Sequence, residues 1–243
     1  MMVLLLACNG GPQDAESMLG ELDTVVISPT QAVLRTGPDG GESLDFGVSV
    51  AFRDGTVDDD FPLVEWTLSN TTAGEIDEDG LFQTSTVNGG RTLVVATVGG
   101  VQASADVTVI YEEVWSEDGV TQEQIDAFEA SSTAASDLAW TYPPDATALP
   151  RNLPEMDFMW SDGGSSQVYE LVFTSSTTQV SAFTTTAEWT APERLWRVIT
   201  STNSGDDVQV ELRALRGGQV VSAGSQSFRV SRFDVEGAVY YWS

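Results

Sequence analysis

Apolar residues recur at every second position through much of this 243-residue chain, the period of half-buried β-strands. Phe46, Val48, Val50 and Phe52 share one face, while Asp45, Gly47, Ser49 and Ala51 take the other. Val64, Trp66 and Leu68 alternate in the same way with Glu65, Thr67 and Ser69. The pattern also predicts strands at residues 24–27, 32–36, 81–83, 92–98 and 101–110. Gly99-Gly100 between the last two is a two-residue hairpin turn. About seven antiparallel strands in roughly 90 residues make a sandwich, so residues 22–110 are expected to form one domain.

Residues 111–136 break the alternation, being acidic at first and then rich in Ser, Thr and Ala. Thr121 with Gln124 fits a capping box, and Ile125 and Phe128 fall one turn apart, so a short helix is predicted over 122–130. The rest of this stretch reads as linker. Alternation returns with Met156, Phe158 and Trp160, then Tyr169, Leu171 and Phe173. Further strands are predicted at 179–184, 195–200, 208–214, 219–222 and 227–233, with turns at Gly163-Gly164 and Gly217-Gly218. The fold class predicted is therefore all-β: two tandem antiparallel β-sandwiches, residues 22–110 and 137–243, joined by the 111–136 linker and preceded by a tether at 1–21.

Composition removes whole classes of chemistry. The chain has no histidine and no lysine, and all ten of its cations are arginine. Ser-His-Asp and Cys-His sets, imidazole metal sites, Schiff bases and a P-loop lysine are thus absent. One cysteine permits neither an internal disulfide nor a zinc cluster. What remains is carboxylate chemistry. The net charge of −27 repels phosphate backbones, so a nucleic-acid partner is not expected. Acidity is uneven: seven of the ten arginines lie in residues 137–243.

The lone cysteine closes the run Leu5-Leu6-Ala7-Cys8, which resembles the lipobox of bacterial lipoproteins. That resemblance implies a lipid on Cys8, attachment to a membrane surface, and a location in the cell envelope. Gly10-Gly11-Pro12-Gln13-Asp14 would then be the flexible tether. No basic residue precedes Cys8 and the apolar run is short for a secretory signal, so the signal is expected to begin upstream of Met1.

Three separated motifs occur in order: Val64-Glu65-Trp66-Thr67-Leu68-Ser69, then Gly74-Glu75-Ile76-Asp77-Glu78-Asp79-Gly80-Leu81-Phe82, then Val95-Ala96-Thr97-Val98-Gly99-Gly100-Val101. With the closing Ala105-Asp106-Val107-Thr108-Val109 they resemble the group 2 bacterial immunoglobulin-like domain over residues 22–110. The family implies extracellular spacer or adhesion modules without catalytic residues. The second half has a fibronectin type III-like strand layout. Its Tyr142-Pro143-Pro144-Asp145, Leu149-Pro150-Arg151-Asn152-Leu153-Pro154 and Phe158-Met159-Trp160 are similar to a sandwich module that precedes TolB-like β-propellers in secreted proteins. Gly237-Ala238-Val239-Tyr240-Tyr241-Trp242 is like the strand that often follows.

Candidate sites are few. Glu75, Asp77 and Asp79 with Gly80 match the opening of a calcium loop, but Thr86 stands where the bidentate glutamate belongs. A tight turn built on Gly80 explains the same residues, and no cofactor is required. Asp58-Asp59-Asp60 reads as a solvated loop. Trp189 and Trp196 are candidates for stacking on a sugar, with core packing as the alternative. Asp157 and Asp162 flank Trp160, but nothing in their spacing makes them face each other. The expected function is a non-enzymatic surface lipoprotein acting as spacer, scaffold or adhesion module. The alternative is a carbohydrate-binding module that uses exposed aromatics of the second domain.

Overall fold

The computed structural model describes residues 22–236. Strands take 56% of the described residues and helices 8%, which settles the all-β class. Two compact units result, and their boundary is not a single cut. The first runs through Leu34, Glu42–Thr84 and Arg91–Thr108; the second takes Arg35–Gly41, Ser85–Gly90 and everything from Val109 onward.

In the first unit, Leu22–Ser28 pairs antiparallel with Gly47–Phe52, placing Val25 opposite Val50 and Ile27 opposite Val48. Glu65–Leu68 pairs with Gly90–Val98, with Trp66 opposite Ala96. Gly99 and Gly100 both take positive φ, as a tight hairpin turn demands. Short strands at Ser43–Asp45, Leu81–Thr84 and Gly74–Ile76 make a third sheet. The alternation places its residues as expected: Phe46, Val48, Val50 and Phe52 are all buried. Phe82, Val94, Ala96 and Val107 join them in the interior.

The second unit departs from an antiparallel sandwich. Its large sheet is mixed. Tyr111–Ser116, the end of the Val101–Ser116 strand, lies parallel to Thr178–Thr184. Val168–Thr174 and Asp207–Arg216 follow antiparallel, then Gln219–Val230. Thr147–Leu149 and Thr133–Ala134 add two more parallel pairings on Gln219–Val230. Residues 111–116 therefore belong to the sheet rather than to a linker, and the alternating burial of Tyr111 and Glu113 is the strand's period.

A smaller antiparallel sheet, Leu138–Tyr142, Met156–Asp162 and Glu188–Ala191, shares one core with the inner face of the large sheet. Phe158 is its hub. Its ring lies 5.3 Å from Phe173, 5.8 Å from Trp189, 6.0 Å from Trp196 and 6.3 Å from Phe228, centroid to centroid. Rings at these separations add attraction beyond their buried area.

The predicted strand at 195–200 is instead a helix, Glu193–Thr202. Leu195, Trp196, Ile199 and Thr202 are buried at helical spacing, and Pro192 at the N-cap carbonyl accepts from Trp196 N–H at 2.9 Å. The sequence misled here because a short apolar run, Leu195-Trp196 and Val198-Ile199 about one arginine, does not by itself distinguish a strand from a buried helix. At the C-terminal end the fully buried Asn203 donates from Nδ2 to the Ile199 carbonyl and to Thr178 Oγ1, fastening the helix to the neighbouring strand.

The short helix forms as predicted, Gln122–Asp126 running into a 3-10 turn at Ala127–Glu129, with the Thr121–Gln124 capping box in place. It covers part of the outer face of the large sheet. Phe128 packs there with Phe183, Val168, Leu215 and Val220. Arg213 ties this segment down, donating to the Phe128 carbonyl at 3.1 Å and placing its guanidinium 5.6 Å from the ring centre.

Truncating the hub should be costly. Phe158→Ala is expected to lower stability by about 3–5 kcal/mol in urea unfolding followed by tryptophan fluorescence. Phe233→Ala, at a side chain 80% exposed, should stay within about 0.5 kcal/mol.

Candidate functional site

The sequence-predicted positions disperse. Trp189 and Trp196 are buried in the aromatic core, 4% and 0% exposed, so neither can stack on a sugar. The expectation of exposed rings on the second unit is corrected at both residues, because the strand at Glu188–Ala191 and the helix at Glu193–Thr202 turn them inward. Asp157 and Asp162 lie on opposite faces of Met156–Asp162. Asp157 accepts from the Thr190 hydroxyl at 2.7 Å, while Asp162 binds Arg216 and accepts from Tyr169 Oη at 2.7 Å. Cys8 lies outside the described residues.

In the first unit, Asp77 is occupied with its own turn. Its Oδ1 accepts from the backbone N–H of Asp79 at 3.0 Å and of Leu81 at 2.9 Å. Gly80 sits at φ +88°, and a Cβ there would come within 2.7 Å of the Phe46 carbonyl and 2.8 Å of the Trp66 ring. Asp58 is engaged in the same way by Asp60 N–H at 3.0 Å. Among the described residues no three acidic or thiol groups gather as metal ligands would. Glu75 lies on Gly74–Ile76, and Asp77 and Asp79 in the turn that follows it.

A different constellation comes together in the second unit. A cavity of about 890 Å³ lies beside the Glu193–Thr202 helix, within the size range of small-molecule sites. Its apolar wall is Pro38, Val87, Val198 and Tyr111; Arg194 and Arg197 stand at its charged side. A smaller cavity of about 390 Å³ shares Glu193, Arg197 and Ser201 with it and continues to Arg151 and Asn152. The helix period explains the placement. With Leu195, Trp196 and Ile199 directed to the core, residues 194, 197 and 201 must face outward.

Arg194 is held from behind. The Glu113 carboxylate, 5% exposed, accepts from both terminal guanidinium nitrogens, while 57% of the Arg194 side chain remains exposed. Tyr111 Oη donates to Glu113 Oε2 at 2.6 Å. Burial, and then the bond to Glu113, push the Tyr111 hydroxyl up to about 12, so it remains a donor at neutral pH. The bond to Glu113 in turn raises Arg194 further above its ordinary range. Among the described residues, the Arg197 side chain forms only an exposed i,i+4 pair with Glu193. Ser201 Oγ donates to Asn88 Oδ1, and Gly89 N–H to Thr202 Oγ1 at 3.1 Å, which fixes the Ser85–Gly90 segment against the helix.

The sequence offered a partial sign of this site. Tyr111 and Glu113 are two apart and so share a strand face, but their stretch read as linker. The strand expected at 195–200 would have turned Arg197 away from Arg194, which lies just before it.

No protein-family model and no curated protein matches the chain. Solved structures similar to it include a tandem of titin immunoglobulin domains, at 9% identity and TM-score 0.27, over 87% of this chain and 97% of that one. Domains 4 and 5 of the S-layer protein SbsC are similar at 10% identity and TM-score 0.30, over 87% and 99%. The four N-terminal immunoglobulin domains of Dscam1 match at 9% and 0.27, over 84% and 44%. At such scores the fold rests on the strand pairing described above.

Gly80→Ala should cost about 1–3 kcal/mol, through its backbone conformation and the clash with Phe46 and Trp66. Thermal unfolding in calcium and in chelator should show the same loss. For Asp162, burial alone would raise the carboxyl, but bonds from Ser166, Tyr169 and Gly164, with the Arg216 charge, outweigh it and hold the group at about 2. A lowered folded pKa stabilises fully above the ordinary carboxylate range, and that contribution is lost as pH falls toward about 2. Asp162→Asn should therefore reduce stability at neutral pH and flatten its decline between about pH 4 and pH 2. Denaturant midpoints across that range check it.

Proposed function

We propose that the chain is a non-enzymatic scaffold or adhesion module of the bacterial cell surface, anchored through a lipid on Cys8 and built on an immunoglobulin-like first domain. One observation carries the non-enzymatic part. Glu113, Glu170 and Asp162, with side chains 5%, 4% and 5% exposed, each close on an arginine: Arg194, Arg213 and Arg216. In a chain without histidine or lysine, acid–base work would fall to carboxylates held at split pKa values and facing one another. These three instead fasten one element to another. Glu170 joins two sheet strands and accepts from Ser181 Oγ at 2.9 Å; Asp162 joins the small sheet to the large one through Arg216.

Surface attachment rests on the Leu5-Leu6-Ala7-Cys8 run. No helix among the described residues is long and apolar enough to cross a membrane. A module of packed strands held by ion pairs and aromatic rings suits a role in which shape, rather than turnover, is what matters. The reading in which Trp189 and Trp196 bind sugar is withdrawn with their burial.

Metabolic labelling with an alkynyl fatty acid, in the native cell, tests the anchor. The wild-type chain should be labelled and sediment with membranes, and Cys8→Ser should be unlabelled and released. A wild-type chain that is unlabelled and released overturns the proposal.

A further inference from the structure

The geometry points to a ligand site in the second unit: the cavity between the Glu193–Thr202 helix and the Ser85–Gly90 segment takes a monocarboxylate carried on an apolar body. This goes beyond the scaffold reading and does not depend on lipid attachment or on location.

The first ground is the way Arg194 is built. Burying a carboxylate is costly even when it is paired, and apolar residues of similar volume often hold such elements together as well. Glu113 is nevertheless buried, and with Tyr111 it fixes the guanidinium from behind. Only the two terminal nitrogens are engaged; the Nε–H edge has no protein partner among the described residues. Supporting a charged group through a second layer of hydrogen bonds pre-organises it for something outside. An arginine that served the fold alone would be spent on the fold, as Arg213 is, at 19% exposed.

The second ground is Arg197. Its pairing with Glu193 is exposed at both ends, 72% and 64%. Such a solvent-exposed pair contributes little, so an incoming anion can compete with Glu193 for the Arg197 guanidinium. Arg194 and Arg197 are three apart on one helix face and line the same cavity, so the Nε–H edge of Arg194 and the exposed fork of Arg197 are offered to one ligand.

Charge selects the kind of anion. Glu113 under Arg194 and Glu193 beside Arg197 leave the site close to neutral, inside a chain of net charge −27. A dianion such as a phosphate monoester would meet this field at twice the penalty of a carboxylate. The rest of the wall selects the body of the ligand. Pro38, Val87, Val198 and the Tyr111 ring offer apolar surface, with Asn88 and Ser201 as the polar groups between them. A peptide ending in an apolar residue and a medium-chain fatty acid share this chemistry.

Titration calorimetry of the full chain in low salt tests it with four probes: octanoate, N-acetyl-Leu-Leu with a free carboxylate, the same peptide as its C-terminal amide, and octyl phosphate. At least one of the two carboxylates should bind, and the tighter of them names the source. The amide and octyl phosphate should bind at least about tenfold more weakly, as loss of a charge-assisted bidentate pair entails. Arg197→Gln, which leaves every buried contact intact, should weaken carboxylate binding by about the same factor. Arg229→Gln, at an exposed pair with Asp207, should leave it unchanged. Arg194→Gln should abolish binding, with circular dichroism reporting whether the fold survives the unpaired Glu113. Three results would each overturn the assignment: no carboxylate bound at millimolar concentration, amide and acid bound equally, or Arg197→Gln binding like the wild type.

Discussion

Phe158 is where the second unit is held together. Its ring meets Phe173 and Phe228 of the large sheet, Trp140 and Trp189 of the small one, and Trp196 of the helix. Each of these elements presents one apolar face, and none could bury it alone. Aromatic side chains suit a junction of three elements because each ring covers a large area with few rotatable bonds, so little side-chain entropy is lost per unit of surface buried. The indole N–H groups of Trp160, Trp189 and Trp196 are buried without an acceptor among the described residues. Trp189 and Trp196 are surrounded by aromatic rings, and a ring gives an N–H weak compensation at best. The core thus accepts a polar cost in exchange for shape.

Arginine does outside this core what aromatic packing does within it. Its planar fork can hold two carboxylate oxygens at once, or one carboxylate and a backbone carbonyl, in fixed geometry. Arg216 spans Asp137, Asp162 and Ser166; Arg213 spans Glu170 and the Phe128 carbonyl. Burial raises Glu170 above its ordinary range, and the Arg213 charge opposes that shift. Threonine takes the same part at Glu117, where burial is outweighed by bonds from the Thr185 and Thr184 side chains and the Thr185 N–H. A chain this acidic gives its few inward-facing carboxylates dedicated donors: Arg194 and Tyr111 for Glu113, Arg213 and Ser181 for Glu170, Arg216 and Tyr169 for Asp162.

Period-two alternation was legible wherever one strand face is buried and the other solvated, as at Phe46, Val48, Val50 and Phe52. The capping box at Thr121 and Gln124 was equally plain, since it is a local contact between residues three apart. Two things were not. Parallel pairing of Tyr111–Ser116 with Thr178–Thr184 joins residues far apart in the chain, and no local spacing encodes the partner of a strand. The Glu193–Thr202 helix was masked by a short apolar run that suits a strand or a buried helix alike; Pro192, with Glu193 four residues before Arg197, was the sign that could have decided it. The arginine-lined cavity was lost with these two, because it needs the strand and the helix together.

Core and cavity are consequently one construction. In a helix whose inward positions are Leu195, Trp196 and Ile199, rotation by about 100° per residue sends 194, 197 and 201 outward, whatever those residues are. Val198 sits at the seam: it is 7% exposed, packs in the aromatic core, and lines the cavity. A change in the packing of Trp196 against Phe158 and Phe228 would rotate or shift the helix, and both guanidinium groups would move with it. Close-packed interiors transmit such displacements rather than absorb them. Asn203 restrains the far end of the same helix through Thr178, on the strand paired with Tyr111–Ser116. The two sides of the Arg194–Glu113 contact are thus connected twice, once through that contact and once through Asn203 and the paired strands. This gives the guanidinium a fixed place that its own exposed side chain could not provide.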